Sequence, residues 1–176
     1  MLPDCMKAIR AVDINSLHGD RQWTKAIFKA VADLGVSLNY KVCSSSNDGE
    51  HDAGWLFDLV WYENDAEEHL KAVPLVLESE WHRNYTRIKY DFEKLLIAKS
   101  KYKIMIFQAK GDKKPDYFKR LQAGIEAFHV ASHDESYLLI CFDEDLWAFE
   151  IRTIKREKSV LVTNVIEVAG QPVPAK

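Results

Sequence analysis

The 176-residue sequence contains no apolar run long enough to cross a membrane, which takes about 20 consecutive apolar residues. Its first twenty residues lack the continuous apolar stretch of a secretory signal peptide. These two absences lead us to expect a cytoplasmic protein that has no contact with a membrane.

Cysteine is scarce, and the common catalytic motifs are missing. The three cysteines, Cys5, Cys43 and Cys141, are widely separated, and no spacing typical of a zinc site joins them. We therefore expect buried free thiols in a reducing compartment. The sequence has no glycine-rich phosphate loop and no recognisable Ser–His–Asp order.

Charge is small in total but unevenly distributed. The net formal charge is −3, yet residues 81–120 contain 12 Lys and Arg against 4 Asp and Glu. This basic segment has two interpretations, the solvated exterior of a helix or a surface that meets nucleic-acid phosphates. The nucleic-acid-binding candidates under the second interpretation are Arg83, Arg87 and Lys89.

Hydrophobic patterning predicts a globular α/β protein. Apolar residues make up 47% and charged residues 29%, which is typical of a folded chain. We predict an N-terminal segment over 1–19, one domain over 20–170 and a flexible tail over 171–176. Early strands followed by strands alternating with helices predict a mixed central sheet flanked by helices. The predicted helices are 20–35, 81–101 and 111–132, and the predicted strands are 36–44, 55–63, 72–80, 102–109, 136–143, 146–156 and 159–169.

Three acidic residues gather on two neighbouring predicted strands. Asp58 lies within the second strand. Glu78 and Glu80 end the third strand, on one face of it and roughly 6.5–7 Å apart along it. If these strands pair, three carboxylates converge, and they repel one another unless a cation is present. Mg²⁺ or Mn²⁺ prefers such oxygen ligands. The alternatives are an Asp58 held by an arginine or by backbone amides, and a Glu80 turned toward solvent.

Lys94 follows on the next predicted helix, three residues after Asp91 and therefore beside it. In one interpretation its ammonium leans over the acidic cluster, where it stabilises developing negative charge or orients a water. In the other it forms an ordinary surface pair with Asp91. Spacing alone favours neither interpretation.

The order of these features resembles the PD-(D/E)XK nuclease superfamily. An Asp in one strand is followed by Glu-x-Glu at the end of the next, in "VPLVLESE", and then by a helix. The resemblance covers residues 20–140 and implies an αβββαβ restriction-endonuclease-like core with additional C-terminal strands. Superfamily members usually carry Lys where this chain has Glu80. Some use Glu-x-Glu, and others carry the lysine on the following helix, which suits Lys94.

The resemblance implies a Mg²⁺-dependent endonuclease acting on nucleic acid, DNA ahead of RNA, in a protein that is a candidate homodimer. The implied metal ligands are Asp58, Glu78 and Glu80, and the implied catalytic residues are these three with Lys94. Two alternatives stay open. One is a catalytically inactive member of the same fold that acts as a binding or regulatory module. The other is an immunity or antitoxin type of protein that binds a protein partner.

Overall fold

The structure is a computed structural model that describes residues 1–13, 17, 19–46, 52–129, 134–143, 145–146, 148–157 and 160–167. The chain divides into two compact units, Met1–Leu77 with Lys99–Tyr102, and Glu78–Ala98 with Lys103–Lys176. One domain over 20–170 stays a prediction, and the predicted tail, 171–176, lies outside the described residues. The elements are α1 (Leu2–Arg10), α2 (Asp20–Ser37), β1 (Lys41–Ser44), β2 (Asp52–Ala53), β3 (Leu59–Asn64), β4 (Leu70–Glu80), α3 (Tyr85–Ile97), β5 (Tyr102–Ala109), α4 (Lys114–Ala127), β6 (Ser136–Asp143), β7 (Ala148–Glu157) and β8 (Val160–Glu167).

The fold is α/β with a mixed sheet flanked by helices, as the sequence predicts. In the first unit the strand order is β2-β1-β3-β4, and β4 belongs to this unit as far as Leu77. Strand β1 is parallel to β2 and antiparallel to β3, which is antiparallel to β4. In the second unit the order is β5-β6-β7-β8, and the pairs β6–β7 and β7–β8 are antiparallel. The αβββαβ core stays a prediction. The short strand β2 lies between its first two predicted strands in the chain and is an addition to it.

Helices cover strands in both units. In the first unit α2 packs against β1 and β3, and α1 packs against α2. In the second unit α3 packs against α4, and α4 packs against β6. Among the helices of the described ranges, none is both long and apolar enough to span a bilayer.

Helix α1 falls within the N-terminal segment 1–19, where no helix was predicted. Its buried residues, Leu2, Cys5 and Ile9, recur at helical spacing and form one apolar stripe. Pro3 lies in the first turn, where its fixed φ suits a helix and its missing N–H costs nothing. The helix has only nine residues, which is shorter than the window in which periodicity is reliably recognised.

Gly35 lies inside α2, so the prediction that it ends this helix is wrong. The helix continues to Ser37. A Cβ at Gly35 would lie 2.5 Å from Nε1 of Trp61, and the glycine therefore makes room for the indole of β3. The left-handed residue beyond the helix is Asn39, with a φ of 66°.

Strand β3 begins at Leu59, four residues later than predicted. Before it, the amide of Phe57 donates to the carbonyl oxygen of Trp55 at 2.7 Å, and Leu56 has a φ of 61°. These three residues form a γ-turn of the rare, strained kind. The sequence pattern did not reveal this turn, because its residues are of types that are typical of strands. Asp58 consequently lies just before the strand rather than within it.

The second unit follows its predictions more closely. Strands β5 and β6 match their predicted ranges. Helix α3 starts at Tyr85 because Asn84 caps it, its side-chain oxygen accepting from the amide of Thr86 at 2.9 Å. The buried residues recur at helical spacing and are Ile88, Phe92, Leu95 and Leu96 of α3 and Phe118, Leu121 and Ile125 of α4.

Candidate functional site

A buried ion pair joins the end of β4 to α3. Glu78 is 1% exposed, and its Oε1 lies 2.5 Å from Nζ of Lys94. Asp91, one helical turn earlier, contacts the same ammonium at 3.4 Å. The predicted contact between Lys94 and Asp91 is therefore confirmed, and the lysine reaches Glu78 as well.

The Lys94 side chain is still 32% exposed. Burial by itself lowers the pKa of a lysine, because it disfavours the charged form. The contacts with Glu78 and Asp91 outweigh that effect and raise the pKa of Lys94 above its ordinary value. Lys94 is consequently a cation at neutral pH, on a side chain that reaches the surface.

Glu80 lies two residues beyond Glu78, on the same face of β4, and is half-buried. Its Oε1 accepts a hydrogen bond from the backbone amide of His82 at 2.7 Å. The bond ties the strand end to the loop that leads into α3. Glu80 is therefore held in place locally rather than turned fully toward solvent.

Asp58 belongs to the first unit and is half-buried. Its carbonyl oxygen accepts from the amide of Ser45 at 2.8 Å, which extends the ladder between β1 and β3 by one residue. Glu78 and Lys94 belong to the second unit. The structure therefore brings Glu78 and Lys94 together, whereas a site that Asp58 shares with them stays a prediction.

Across the described part of the chain, no group of three or more His, Cys, Asp or Glu side chains is arranged to hold a metal ion. The donor chemistry at the end of β4 nevertheless suits Mg²⁺ or Mn²⁺, because Glu78 and Glu80 offer hard carboxylate oxygens. Mg²⁺ is often held by one or two carboxylates and keeps several waters. An ion at Glu78 would share that carboxylate with Lys94.

The structure divides the basic segment 81–120 into buried and exposed charges. Nine of its twelve basic side chains are exposed. The other three are lysines engaged with buried carboxylates, so part of the excess charge never reaches the surface. These pairs are Lys94 with Glu78, Lys103 with Glu135, and Lys114 with both Asp143 and Glu150.

The three nucleic-acid-binding candidates are all exposed but lie in different places. Arg87 lies two turns before Lys94, on the same side of α3. Lys89 lies on another side, where its Nζ is 3.3 Å from an oxygen of Glu93. Arg83 lies in the loop before the helix. Arg87 is therefore the candidate best placed to act together with Lys94.

Sequence reasoning missed a second buried pair. Lys103 is fully buried, and its Nζ lies 3.0 Å from Oε2 of Glu135 and 3.3 Å from the hydroxyl of Tyr137. Tyr137 donates to Glu135 at 2.6 Å. Burial lowers the pKa of Lys103 despite the nearby carboxylate. The one sequence signal was a lysine inside the apolar run "YKIMIFQA".

A third cluster lies at the end of β6. Lys114 contacts Asp143 at 2.9 Å and Glu150 at 3.1 Å, and Arg152 contacts Glu150 at 2.7 Å. Burial by itself lowers the pKa of Lys114, but the two carboxylates outweigh it and raise that pKa. Two cations and two carboxylates balance here, which is typical of a structural network.

No family model, no curated protein and no solved structure matches this chain. The resemblance to the PD-(D/E)XK superfamily therefore rests on the pattern formed by Asp58, Glu78, Glu80 and Lys94.

Proposed function

We propose that the protein is a Mg²⁺-dependent nuclease-like enzyme that hydrolyses phosphodiester bonds of nucleic acid. The observation that carries the proposal is the pair of Glu78 and Lys94. A carboxylate buried at a strand end contacts the ammonium of a lysine whose side chain is 32% exposed. A carboxylate paired with a lysine that reaches the surface is the arrangement that a metal ion and a substrate phosphate would need.

Each residue has a separate role in this proposal. Glu78 holds the metal ion, and Glu80 adds a ligand or accepts a proton from water. When bound, the ion supplies Lewis acidity toward the phosphate and lowers the pKa of a water molecule. Lys94 neutralises negative charge that develops on the phosphate oxygens. Asp58 is proposed as a further ligand on the sequence pattern alone.

Asp91 gives Lys94 a second acceptor, at 3.4 Å. The ammonium of Lys94 therefore stays paired with Asp91 when the carboxylate of Glu78 binds a metal ion. The exposed basic side chains of 81–120 contact the nucleic-acid backbone, which fixes position without reading sequence. DNA is the proposed substrate ahead of RNA, and a homodimer is the proposed assembly.

The test is cleavage of single- and double-stranded DNA and RNA by the purified protein with Mg²⁺ or Mn²⁺. We expect Glu78→Gln to abolish both cleavage and Mn²⁺ binding, because it removes a charged ligand. Lys94→Met should slow cleavage about 100-fold to 1,000-fold, the usual cost of removing one stabiliser of transition-state charge. Glu126→Gln is the control, since it removes an exposed carboxylate of the second unit that lies outside residues 81–120. It should change neither cleavage nor Mn²⁺ binding.

Two results would contradict the proposal. If no substrate is cleaved with either ion, the protein is not a nuclease, and a non-catalytic binding module takes its place. If Glu78→Gln cleaves normally, the reaction occurs elsewhere. Stable co-purification with a single polypeptide and no affinity for nucleic acid would favour the immunity or antitoxin type of protein instead.

A further inference from the structure

Two tyrosine rings and a guanidinium cluster between α3 and α4. The guanidinium carbon of Arg120 lies 3.5 Å from the centre of the Tyr85 ring. The Tyr85 ring centre lies 5.2 Å from that of Tyr117. The Tyr117 hydroxyl donates to the carbonyl oxygen of Arg83 at 2.9 Å. The cluster is therefore anchored to the loop that follows Glu80.

The cluster is partly open to solvent at Arg120. Tyr85 and Tyr117 are half-buried, whereas the Arg120 side chain is 50% exposed. The Tyr85 ring lies at stacking distance from the guanidinium, so a ligand could approach only on the side of the guanidinium away from Tyr85. The ion-pair partner of Arg120 is Asp116 at 3.5 Å, which is itself 56% exposed. Such surface pairs contribute little and yield readily to a ligand.

An exposed guanidinium plane binds flat aromatic groups by stacking and by cation–π attraction. Nucleobases are such groups, and unpaired bases stack on aromatic side chains and on arginine planes. Bases inside a duplex are already stacked on both faces. A stacking surface at Arg120 would therefore select single strands over duplexes without reading any base edge.

The charge around the cluster suits a polyanion. Lys113 lies one turn before Tyr117 and two turns before Arg120, on the same side of α4, and is 61% exposed. Arg83 is exposed on the loop that Tyr117 contacts. Residues 81–120 have nine exposed basic side chains and only three exposed acidic ones. Phosphates that flank a stacked base would therefore meet positive charge.

We propose that Arg120, Tyr85 and Tyr117 form a stacking surface for an unpaired base of single-stranded nucleic acid. The inference rests on the proposed function and narrows its substrate to nucleic acid with a single-stranded portion. Tyr117 and Tyr85 hold the guanidinium plane in place, and Arg120 makes the contact with the base.

The test measures binding in EDTA, so that it does not depend on cleavage. The probe is a short DNA single strand carrying 2-aminopurine, whose fluorescence is quenched by stacking, compared with its duplex. Arg120→Lys keeps the charge but removes the plane. It should weaken single-strand binding roughly 5-fold to 100-fold, the range of one lost base-stacking contact. It should also abolish the quenching and leave duplex binding unchanged. Lys119→Gln, which removes an exposed charge beside Arg120, is the control and should change both affinities slightly and alike.

A second pair of variants keeps the inference testable if Arg120→Lys folds poorly. Asp116→Asn releases Arg120 from its ion pair and should strengthen single-strand binding roughly 2-fold to 5-fold. Glu126→Gln removes an equal exposed charge from α4, away from Arg120 and Lys113, and should have a smaller effect. Equal losses in Arg120→Lys and Lys119→Gln, or equal gains in Asp116→Asn and Glu126→Gln, would overturn the stacking surface. Wild-type protein that cleaves nucleic acid but shows no preference for single strands overturns this inference alone. Protein that binds no nucleic acid overturns the proposed function as well.

Discussion

Lys94 and Lys103 each pair with a buried glutamate in the second unit, yet they differ in their access to solvent. Lys94 lies 2.5 Å from Glu78 with 32% of its side chain exposed, whereas Lys103 lies 3.0 Å from Glu135 and is fully buried. The pKa of Lys94 is raised, and that of Lys103 is lowered by burial. Both ammonium groups contact a carboxylate closely, so it is mainly the loss of water around Lys103 that separates them.

The difference separates a partly exposed pair from one that is enclosed in the core. Lys103 also donates to the carbonyl oxygen of Leu96 at 3.4 Å and to Tyr137, so its donors are used inside the protein. A buried network of this kind is costly to leave half satisfied. Lys94 keeps one side toward solvent and has Asp91 as an alternative acceptor. It therefore has a second acceptor available if a cation takes its place beside Glu78.

The largest expected effect is at the fully buried pair. Lys103→Met should lower the free energy of unfolding by about 3–5 kcal/mol, because it leaves a buried carboxylate without its cation. Urea denaturation measures this loss. The double change Lys103→Met with Glu135→Leu should recover most of it, since an apolar replacement removes both charges. A loss below about 1 kcal/mol in Lys103→Met, the level of a surface pair, would show that the two pairs do not differ as described.

A smaller effect is expected at the exposed pair, together with a response to metal. Lys94→Met should lower the free energy of unfolding by about 1–2 kcal/mol, because water can reach Glu78 where the ammonium was. Mn²⁺ should then stabilise this variant more than the wild type, since the ion no longer competes with the lysine. Thermal unfolding with and without Mn²⁺ measures the shift. Lys103→Met is the matched control and should gain no more from Mn²⁺ than the wild type does.

The smallest expected effect is in the dependence of stability on pH. A raised pKa at Lys94 means that its contribution is fully present below the ordinary lysine pKa of 10.5 and is lost as pH rises through the higher folded value. The stability gap between wild type and Lys94→Met should therefore shrink above pH 10.5. At Lys103 the lowered pKa gives the opposite sign, so its contribution should increase as pH approaches 10.5 from below. Urea midpoints across this range test both signs, and slopes of the same sign would contradict the assignment.

The sequence predicted the second unit better than the first, for identifiable reasons. Strands β5 and β6 are continuous apolar runs bounded by polar residues, and α3 has four core residues at helical spacing. These are local signals. Gly35 was misread because its role depends on Trp61, which lies far away in the sequence. Local patterning cannot show which distant side chain fills the space above a glycine.

The candidate site was predictable in part. The spacing of Asp91 and Lys94 predicted their contact, since neighbours on a helix follow from geometry alone. The reach of Lys94 to Glu78 was one of two open interpretations. The contact of Arg120 with Tyr85 joins two helices and left no periodic trace in the sequence. Contacts between residues of different helices depend on tertiary packing, which the spacing of residues along the sequence does not show.

The γ-turn at Leu56 allows a test of whether this residue is retained for a reason other than folding. Leu56 is 75% exposed and has a φ of 61°, so neither burial nor backbone preference favours leucine at this position. Glycine or asparagine fits the same backbone with less strain. In a mutational scan, folding alone would therefore reward replacement of this leucine. Intolerance to such replacements would mark Leu56 as a residue retained for what it touches outside the folded chain.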